Sequence, residues 1–264
     1  MPLTKVQTVI SVLFVGVMAL GASESSKAAL IDRGNGLIYD NVLNITWIQD
    51  VGLSGTQGGP SIFNWLGAKS WADRLVFGGY DDWRLPTLTP INGTRFEMRF
   101  HCDGSADYGY GIAAPGLASA GFTGNELAYM YHVNLGNKPR CTGEGPYLAG
   151  KTFGPEVGVQ NASFVDGSTG ETVSFLNLQD LKTLLWTDYA PIIDSRGASY
   201  SWLFKYDGFN DWANTIFRGR AWAVRDGDVL VATVPEPSIL LLLVGLLPAF
   251  LFTKKRKLSR QRFA

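Results

Sequence analysis

The pattern of apolar and polar positions divides the chain into two apolar ends and a mixed central region. An uncharged apolar run covers 239–252, and a shorter one covers 9–20. Between them, short apolar runs alternate with turns that contain Gly, Asn or Asp. Because both ends have the character of targeting segments, we predict the fold from the central residues alone.

The first part of the central region predicts a β-hairpin followed by a helix. Residues 37–40 and 45–48 are β-rich runs separated by Asn-containing turn residues. Apolar residues then recur at helical spacing within 63–77. Gly78 and Gly79 are predicted to end this helix, as glycines do at helix C-termini.

The rest of the central region predicts a second short helix and then strands. Residues 125–133 have apolar side chains at helical spacing, whereas 105–123 is rich in small residues and is predicted to be irregular. Four β-rich runs follow at 184–187, 199–206, 215–217 and 221–225. Two helices followed by several antiparallel strands predict an α+β fold, in which the first hairpin pairs near the last strand.

Residues 1–28 have the pattern of a secretory signal peptide. Lys5 precedes the apolar stretch, and small residues follow it up to a Ser-Lys-Ala site at 26–28. We expect a signal helix that is removed after Ala28. A permanent N-terminal anchor is the alternative.

Residues 234–264 combine three features with different physical roles. Pro235, Glu236 and Pro237 interrupt regular structure and favour a short extended segment. The following hydrophobic helix is predicted from an apolar run of 14 residues, short of the ~20 needed to span a bilayer. The basic cluster at 254–257 is expected to stay on the cytoplasmic side. A plain tail anchor would explain the apolar and basic parts, but not the prolines.

This arrangement resembles the PEP-CTERM sorting signal of bacterial envelope proteins. The resemblance implies cleavage near Pro235 by an exosortase, often in bacteria that make exopolysaccharide. It also implies an exported protein of the cell envelope, cell surface or extracellular matrix. Such a protein is held at the inner membrane only transiently, through its C-terminal helix.

Setting the ends aside changes the charge of the chain. The whole sequence has 23 basic and 23 acidic residues and is formally neutral. Residues 29–237 contain 15 basic and 22 acidic residues, a net charge of about −7. Binding to nucleic acid depends on clustered Lys and Arg that neutralise phosphates, so we expect no nucleic-acid partner.

Cys102 and Cys141 are the two cysteines of the chain. Disulfides persist in exported proteins, and no Cys-x-x-Cys spacing favours a metal pair or a redox couple. We therefore predict a structural disulfide between them. It would close a loop of roughly 40 residues and stabilise the fold by about 3–4 kcal/mol.

Seven motifs occur in a fixed order along the central region: Gly36–Asp40, Thr46-Trp47, Trp71-Ala72, Gly79–Thr87, Asn125–Tyr129, Leu184–Thr187 and Ala221–Arg225. Together they resemble the Lcl-type C-terminal domain, a family of bacterial exported modules. The Trp-Arg-Leu-Pro-Thr turn at 83–87 is its most specific part, and a similar turn occurs in C-type-lectin-like folds, including formylglycine-generating enzymes. The resemblance implies one C-type-lectin-like ectodomain over 29–233, with insertions at 88–124 and 138–175.

Aromatic and polar side chains form two sets of candidate ligand contacts. In the first, Trp83 would stack on a sugar and Arg84 would hold a carboxylate. The alternative is a buried Trp83, with Arg84 fixing the turn through carbonyls and a nearby acid, Asp81 or Asp82.

The second set comprises Asn210, Asp211 and Trp212, which lie in a polar stretch that favours an exposed indole. Three other tryptophans lie in β-rich runs and are predicted to be core residues: Trp186, Trp202 and Trp222.

Calcium is the one cofactor left open. Acidic pairs that could contribute oxygens are Asp103 with Asp107, Asp207 with Asp211, and Asp226 with Asp228. Asp207 and Asp211 are the candidate metal ligands, although calcium needs several converging oxygens. The chain has only two histidines, which excludes a His-rich metal site.

The sequence favours a binding module over an enzyme. It contains no nucleophile elbow and no phosphate-binding loop. A glycosidase with two carboxylates stays open, as does an enzyme similar to the formylglycine-generating family. We expect a non-catalytic exported module that binds glycan or exopolysaccharide. A purely structural envelope or matrix protein without a small ligand is the alternative.

Overall fold

The computed structural model describes residues 29–57, 60–142, 152–154, 159–179 and 182–229. The predicted signal helix, the Pro235–Pro237 motif and the predicted C-terminal helix lie outside these residues. In the part of the chain that the structure describes, no helix is long and apolar enough to cross a bilayer.

The described residues contain short helices and many short strands. The helices are α1 (Leu53–Thr56), α2 (Trp65–Ala72) and α3 (Glu126–Tyr129), the last continuing into a π-helical turn at Met130–Asn134. The strands are β1 (Leu30–Gly34), β2 (Leu37–Asp40), β3 (Ile45–Ile48), β4 (Gly109–Tyr110), β5 (Cys141–Thr142), β6 (Thr152–Phe153), β7 (Ser163–Val165), β8 (Thr172–Ser174), β9 (Leu184–Trp186), β10 (Ile192–Ile193), β11 (Ser199–Lys205), β12 (Phe209–Asn214) and β13 (Val224–Asp226).

A four-stranded antiparallel sheet joins the beginning and the end of the described chain. Its strand order is β1-β2-β3-β13. Trp47 lies opposite Ile38 on one side and opposite Val224 on the other. The predicted hairpin and its pairing with the last strand are therefore confirmed.

A second sheet has the order β10-β11-β12-β4, and β9 pairs with another part of β11. Its β11–β12 hairpin turns at Gly208, which has a φ of +85°, a conformation that glycine adopts without strain. This turn brings strand β12, residues 209–214, directly alongside β11, and the two strands pair. The strand predicted at 215–217 is therefore wrong, because the chain has already left the sheet after Asn214.

The early helix is shorter than predicted. It begins where the Asn64 side chain accepts a hydrogen bond from the Gly67 N–H, and it ends at Ala72. Gly78 and Gly79 do not cap it. Both have positive φ, and Phe77 and Tyr80 exchange two backbone hydrogen bonds around them, so the glycines form a tight hairpin turn.

The second helix is confirmed. The Asn125 side chain accepts a hydrogen bond from the Ala128 N–H and so caps the start of α3. Leu127, Met130 and Tyr131 point inward and are buried.

The core lies between the first sheet, α3 and the second sheet. The predicted core tryptophans Trp186, Trp202 and Trp222 are all buried. Trp222 packs against Trp47, with a distance of 4.6 Å between their ring centroids. All the strand pairs named above are antiparallel, as are the two-stranded sheets β5-β6 and β7-β8, which confirms the α+β class with mainly antiparallel sheet.

The predicted disulfide joins Cys102 to Cys141, whose Cα atoms are 5.4 Å apart. Both cysteines are fully buried and pack with Tyr110, Phe100 and Phe209. The bond therefore fastens the 88–124 segment to β5, beside an aromatic cluster that includes Phe209 of the second sheet.

We expect the double variant Cys102→Ala/Cys141→Ala to lose about 4 kcal/mol of unfolding free energy. The physical reason is the entropy that an unfolded chain regains when a loop with a sequence separation of 39 is opened. Chemical denaturation with and without reductant measures this change. Reduced wild-type protein should match the variant, and a loss below about 1 kcal/mol would contradict the prediction.

Candidate functional site

Trp83 of the first candidate set lies in the interior rather than at a surface. It is 2% exposed. Its indole N–H donates to the carbonyls of Tyr80 and Phe77 at 3.1 and 3.3 Å. The ring thus supports the tight hairpin turn at Gly78-Gly79, which favours the structural interpretation of this residue.

Arg84 joins three distant segments of the chain. Its guanidinium donates to both carboxylate oxygens of Glu126 at 2.9 Å, and also to Asp226 at 2.6 Å. Its backbone exchanges two hydrogen bonds with Val224. The acid partners are therefore not the expected Asp81 and Asp82.

Burial alone would lower the pKa of Arg84. The hydrogen bonds and charges of Glu126 and Asp226 outweigh burial and raise that pKa above its ordinary value. Asp82 instead pairs with Arg225 at 2.8 Å, and the Arg225 guanidinium lies over the Tyr80 ring. Both arginines thus stabilise the contact between the 80–87 turn and β13.

The polar members of the second set have structural partners. Asn210 is 1% exposed; its amide donates to the Asp107 carbonyl and accepts from Asn125. Asp211 pairs with Lys205 at 2.6 Å. Asn210 is therefore an internal positioning residue, and Asp211 is held by a lysine.

Asp207 and Asp211, the candidate calcium ligands, each face a different cation. Asp207 accepts from the Tyr110 hydroxyl at 2.9 Å and lies 3.7 Å from Arg140. Burial and the negative charge of Asp207 raise the pKa of Tyr110 well above its ordinary value. Among the described residues, no group of three or more His, Cys, Asp or Glu side chains could hold a metal ion.

Trp212 lies in an aromatic cleft on one face of the second sheet. It is half-buried and lies opposite Trp202 in the β11–β12 register. Tyr200 stacks on it with an interplanar angle of 8° and a centroid distance of 6.0 Å. Tyr189 contacts it edge-on at 6.3 Å.

The 90–98 segment forms the opposite wall of this cleft. The centroid of the Phe96 ring lies 5.0 Å from the ring centroids of both Trp202 and Tyr189. The cleft has a volume of about 480 Å³, and its lining residues are Pro90, Thr94, Arg95, Phe96, Met98, Tyr189, Ile192, Trp202 and Trp212. This volume lies within the ordinary range of small-molecule sites.

A buried carboxylate fixes the wall. Asp107 accepts the backbone N–H groups of Ile91 and Glu97 at 2.9 and 2.8 Å. Burial raises the pKa of Asp107, and these hydrogen bonds offset only part of that effect. Because the Asp107 carbonyl also accepts from Asn210, the wall and the sheet hold each other in place.

Sequence reasoning found one of the aromatic residues of the cleft and missed the others. Trp212 was identified from its polar neighbours. Phe96, Tyr189 and Tyr200 come from three separate segments, and no local pattern distinguishes them from ordinary core residues. A cleft assembled from such segments has no contiguous sequence signal.

Comparisons with known proteins found no matching family model, no similar curated protein and no similar solved structure. The function is therefore argued from the cleft itself.

We expect Arg84→Ala to lower the unfolding free energy by about 3 kcal/mol, because it leaves the nearly buried Glu126 carboxylate without its cation. Arg99→Ala is the matched control. The Arg99 side chain is 63% exposed and lies 3.7 Å from Glu97, so the expected change is within about 0.5 kcal/mol. Denaturant titration compares the two variants, and equal losses would contradict the assigned role of Arg84.

We expect Trp212→Ala to cost about 1–2 kcal/mol of unfolding free energy, because its ring is only partly buried. Trp202→Ala should cost about 3–5 kcal/mol, since Trp202 is fully buried under Phe96. Thermal and chemical denaturation rank the two variants. The reverse order would mean that Trp212 is a core residue rather than a cleft residue.

Proposed function

We propose that this protein is a non-catalytic exported module that binds glycan or exopolysaccharide through the aromatic cleft. The observation that carries the proposal is the half-buried indole of Trp212 beside the ring of Tyr200. Phe96 lies on the opposite wall of the same cleft. Aromatic rings offer flat apolar faces on which the apolar face of a pyranose packs.

The chemistry of the lining residues supports binding rather than catalysis. The lining combines aromatic, aliphatic and hydroxyl side chains with one guanidinium, that of Arg95. A glycosidase needs a pair of carboxyl groups on either side of the scissile bond. Any such pair would have to come from residues outside the lining.

The proposed localisation rests on the predicted signal peptide and on the predicted sorting signal at 234–264. We propose export by the predicted signal peptide, transient attachment to the inner membrane and cleavage by an exosortase near Pro235, with a final place in the envelope, cell surface or matrix. A C-type-lectin-like ectodomain is part of this proposal. It is supported by two features: the pairing of β3 with β13 near the two ends, and the Trp-Arg-Leu-Pro-Thr turn against β13.

A purely structural envelope or matrix protein is the second candidate. The observation in its favour is a set of large apolar side chains that are more than half exposed, including Leu66, Val76, Ile193, Ile216 and Phe217. Exposed apolar side chains can serve contacts with other proteins. A matrix component of this kind would bind no glycan at the cleft.

A glycan array and an exopolysaccharide pull-down with the full-length protein separate the two candidates. We expect saturable binding that Trp212→Ala weakens at least about tenfold. Truncating an aromatic hot-spot residue to alanine commonly costs about 1.4 kcal/mol of binding free energy or more, and about 1.4 kcal/mol corresponds to a tenfold change in affinity. Phe217→Ala is the matched control, since this aromatic side chain is 56% exposed and is not among the lining residues.

Repeating the assay with calcium and with a chelator tests the cofactor left open by the sequence. Binding that survives chelation would exclude a calcium-dependent mode. No binding to any polymer, or equal losses in the two variants, would overturn the proposed function and favour the structural candidate.

A further inference from the structure

Arg95 is the charged residue among those that line the aromatic cleft. The other lining side chains are aromatic, aliphatic, prolyl, a thioether and a threonine hydroxyl. A ligand in the cleft would therefore meet flat apolar surfaces and one positive charge, with no acid in the lining to neutralise it.

The guanidinium of Arg95 has no ion-pair partner among the described residues, a property that it shares there with Arg74, Arg196, Arg218 and Arg220; of these five, Arg95 lines the cleft. Arg84, Arg99 and Arg225 each pair with a carboxylate of the protein. Arg95 is exposed. Its positive charge is thus available to a ligand.

The position of Arg95 is set by its backbone. The Asn92 side chain accepts hydrogen bonds from the backbone N–H groups of Thr94 and Arg95 at 2.9 and 3.0 Å. Glu97, two residues further on, is fixed through its own N–H by the buried Asp107 carboxylate. The wall of the cleft therefore presents Arg95 from a defined loop, which lowers the ordering cost of a contact.

The surrounding charge makes this arrangement selective. The central region has a net charge of about −7, so an anionic polymer would be repelled by most of the surface. The guanidinium of Arg95, which has no ion-pair partner among the described residues, offsets this repulsion beside the cleft. Its planar fork matches the two oxygens of a carboxylate.

We infer that the cleft selects a polysaccharide that carries carboxylates, with a uronic acid held by Arg95 and a sugar face packed on Trp212. This inference rests on the proposed glycan-binding function. It adds the chemical class of the ligand and names Arg95 as the residue that determines specificity.

Two pairs of polymers test the inference with the full-length protein. They are polygalacturonate with its methyl ester, and hyaluronan with its carboxyl-reduced form. In each pair, the second polymer has the sugar backbone of the first but lacks the negative charge of its carboxylates. We expect wild-type protein to bind at least one acidic polymer about fivefold more tightly than its neutral partner, as for an exposed ion pair.

Arg95→Gln should remove this preference and leave binding to the neutral polymer unchanged. Arg99→Gln is the matched control, because it removes an exposed arginine from the same segment that already has a partner, Glu97. It should leave the preference intact. The preference of the wild type should also weaken as salt is raised from low to physiological concentration.

The outcomes separate this inference from the function on which it rests. Equal binding of acidic and neutral polymers, or a preference that survives Arg95→Gln, would overturn the inference while the glycan-binding function stands. Stronger Arg95-dependent binding of dextran sulfate than of either uronate polymer would overturn the choice of carboxylate. No binding to any of these polymers, nor to a glycan array, would overturn both.

Discussion

The interaction on which the rest of the structure depends is the one between Arg84 and its three partners. Through Glu126 the guanidinium holds α3 and through Asp226 it holds the last strand, while the backbone of Arg84 exchanges two hydrogen bonds with Val224 of that strand. A charge that is mostly removed from water needs such partners, so the turn, the helix and the strand must assemble together. From α3 the connection continues to the cleft, because the capping residue Asn125 also donates to Asn210.

Both faces of the second sheet contribute to the fold, and the face that carries Trp202 also carries the candidate site, next to Phe204 of the main core. Leu203 and Trp186 lie opposite each other and pack with Ala68 and Ala72 of α2. Trp202, the neighbour of Leu203, points to the other face, where it contacts Phe96 and Trp212. Successive side chains of a strand alternate between faces, so one short segment supports both the core and the cleft.

Local patterns predicted the elements that local forces decide. The hairpin formed by β2 and β3, the helix at 125–133 and the Cys102–Cys141 bond follow from turn residues, apolar spacing and the count of cysteines. Predictions that depended on distant partners were less accurate. Gly78 and Gly79 were expected to cap a helix, but they form a hairpin turn over the Trp83 ring. Residues 209–212 were interpreted as a polar stretch, yet they fold back after Gly208 as part of strand β12, which pairs with β11.

The sequence by itself determined the α+β class, the disulfide, the acidic central region and the two distinctive ends, because composition, spacing and turn chemistry are local properties. It also marked Trp212 as unusual. Only the tertiary structure decided which acids pair with Arg84 and which rings surround Trp212. Phe96 and Trp212 are more than one hundred positions apart in the chain, and their proximity depends on Asp107, Asn210 and sheet pairing that no local pattern encodes.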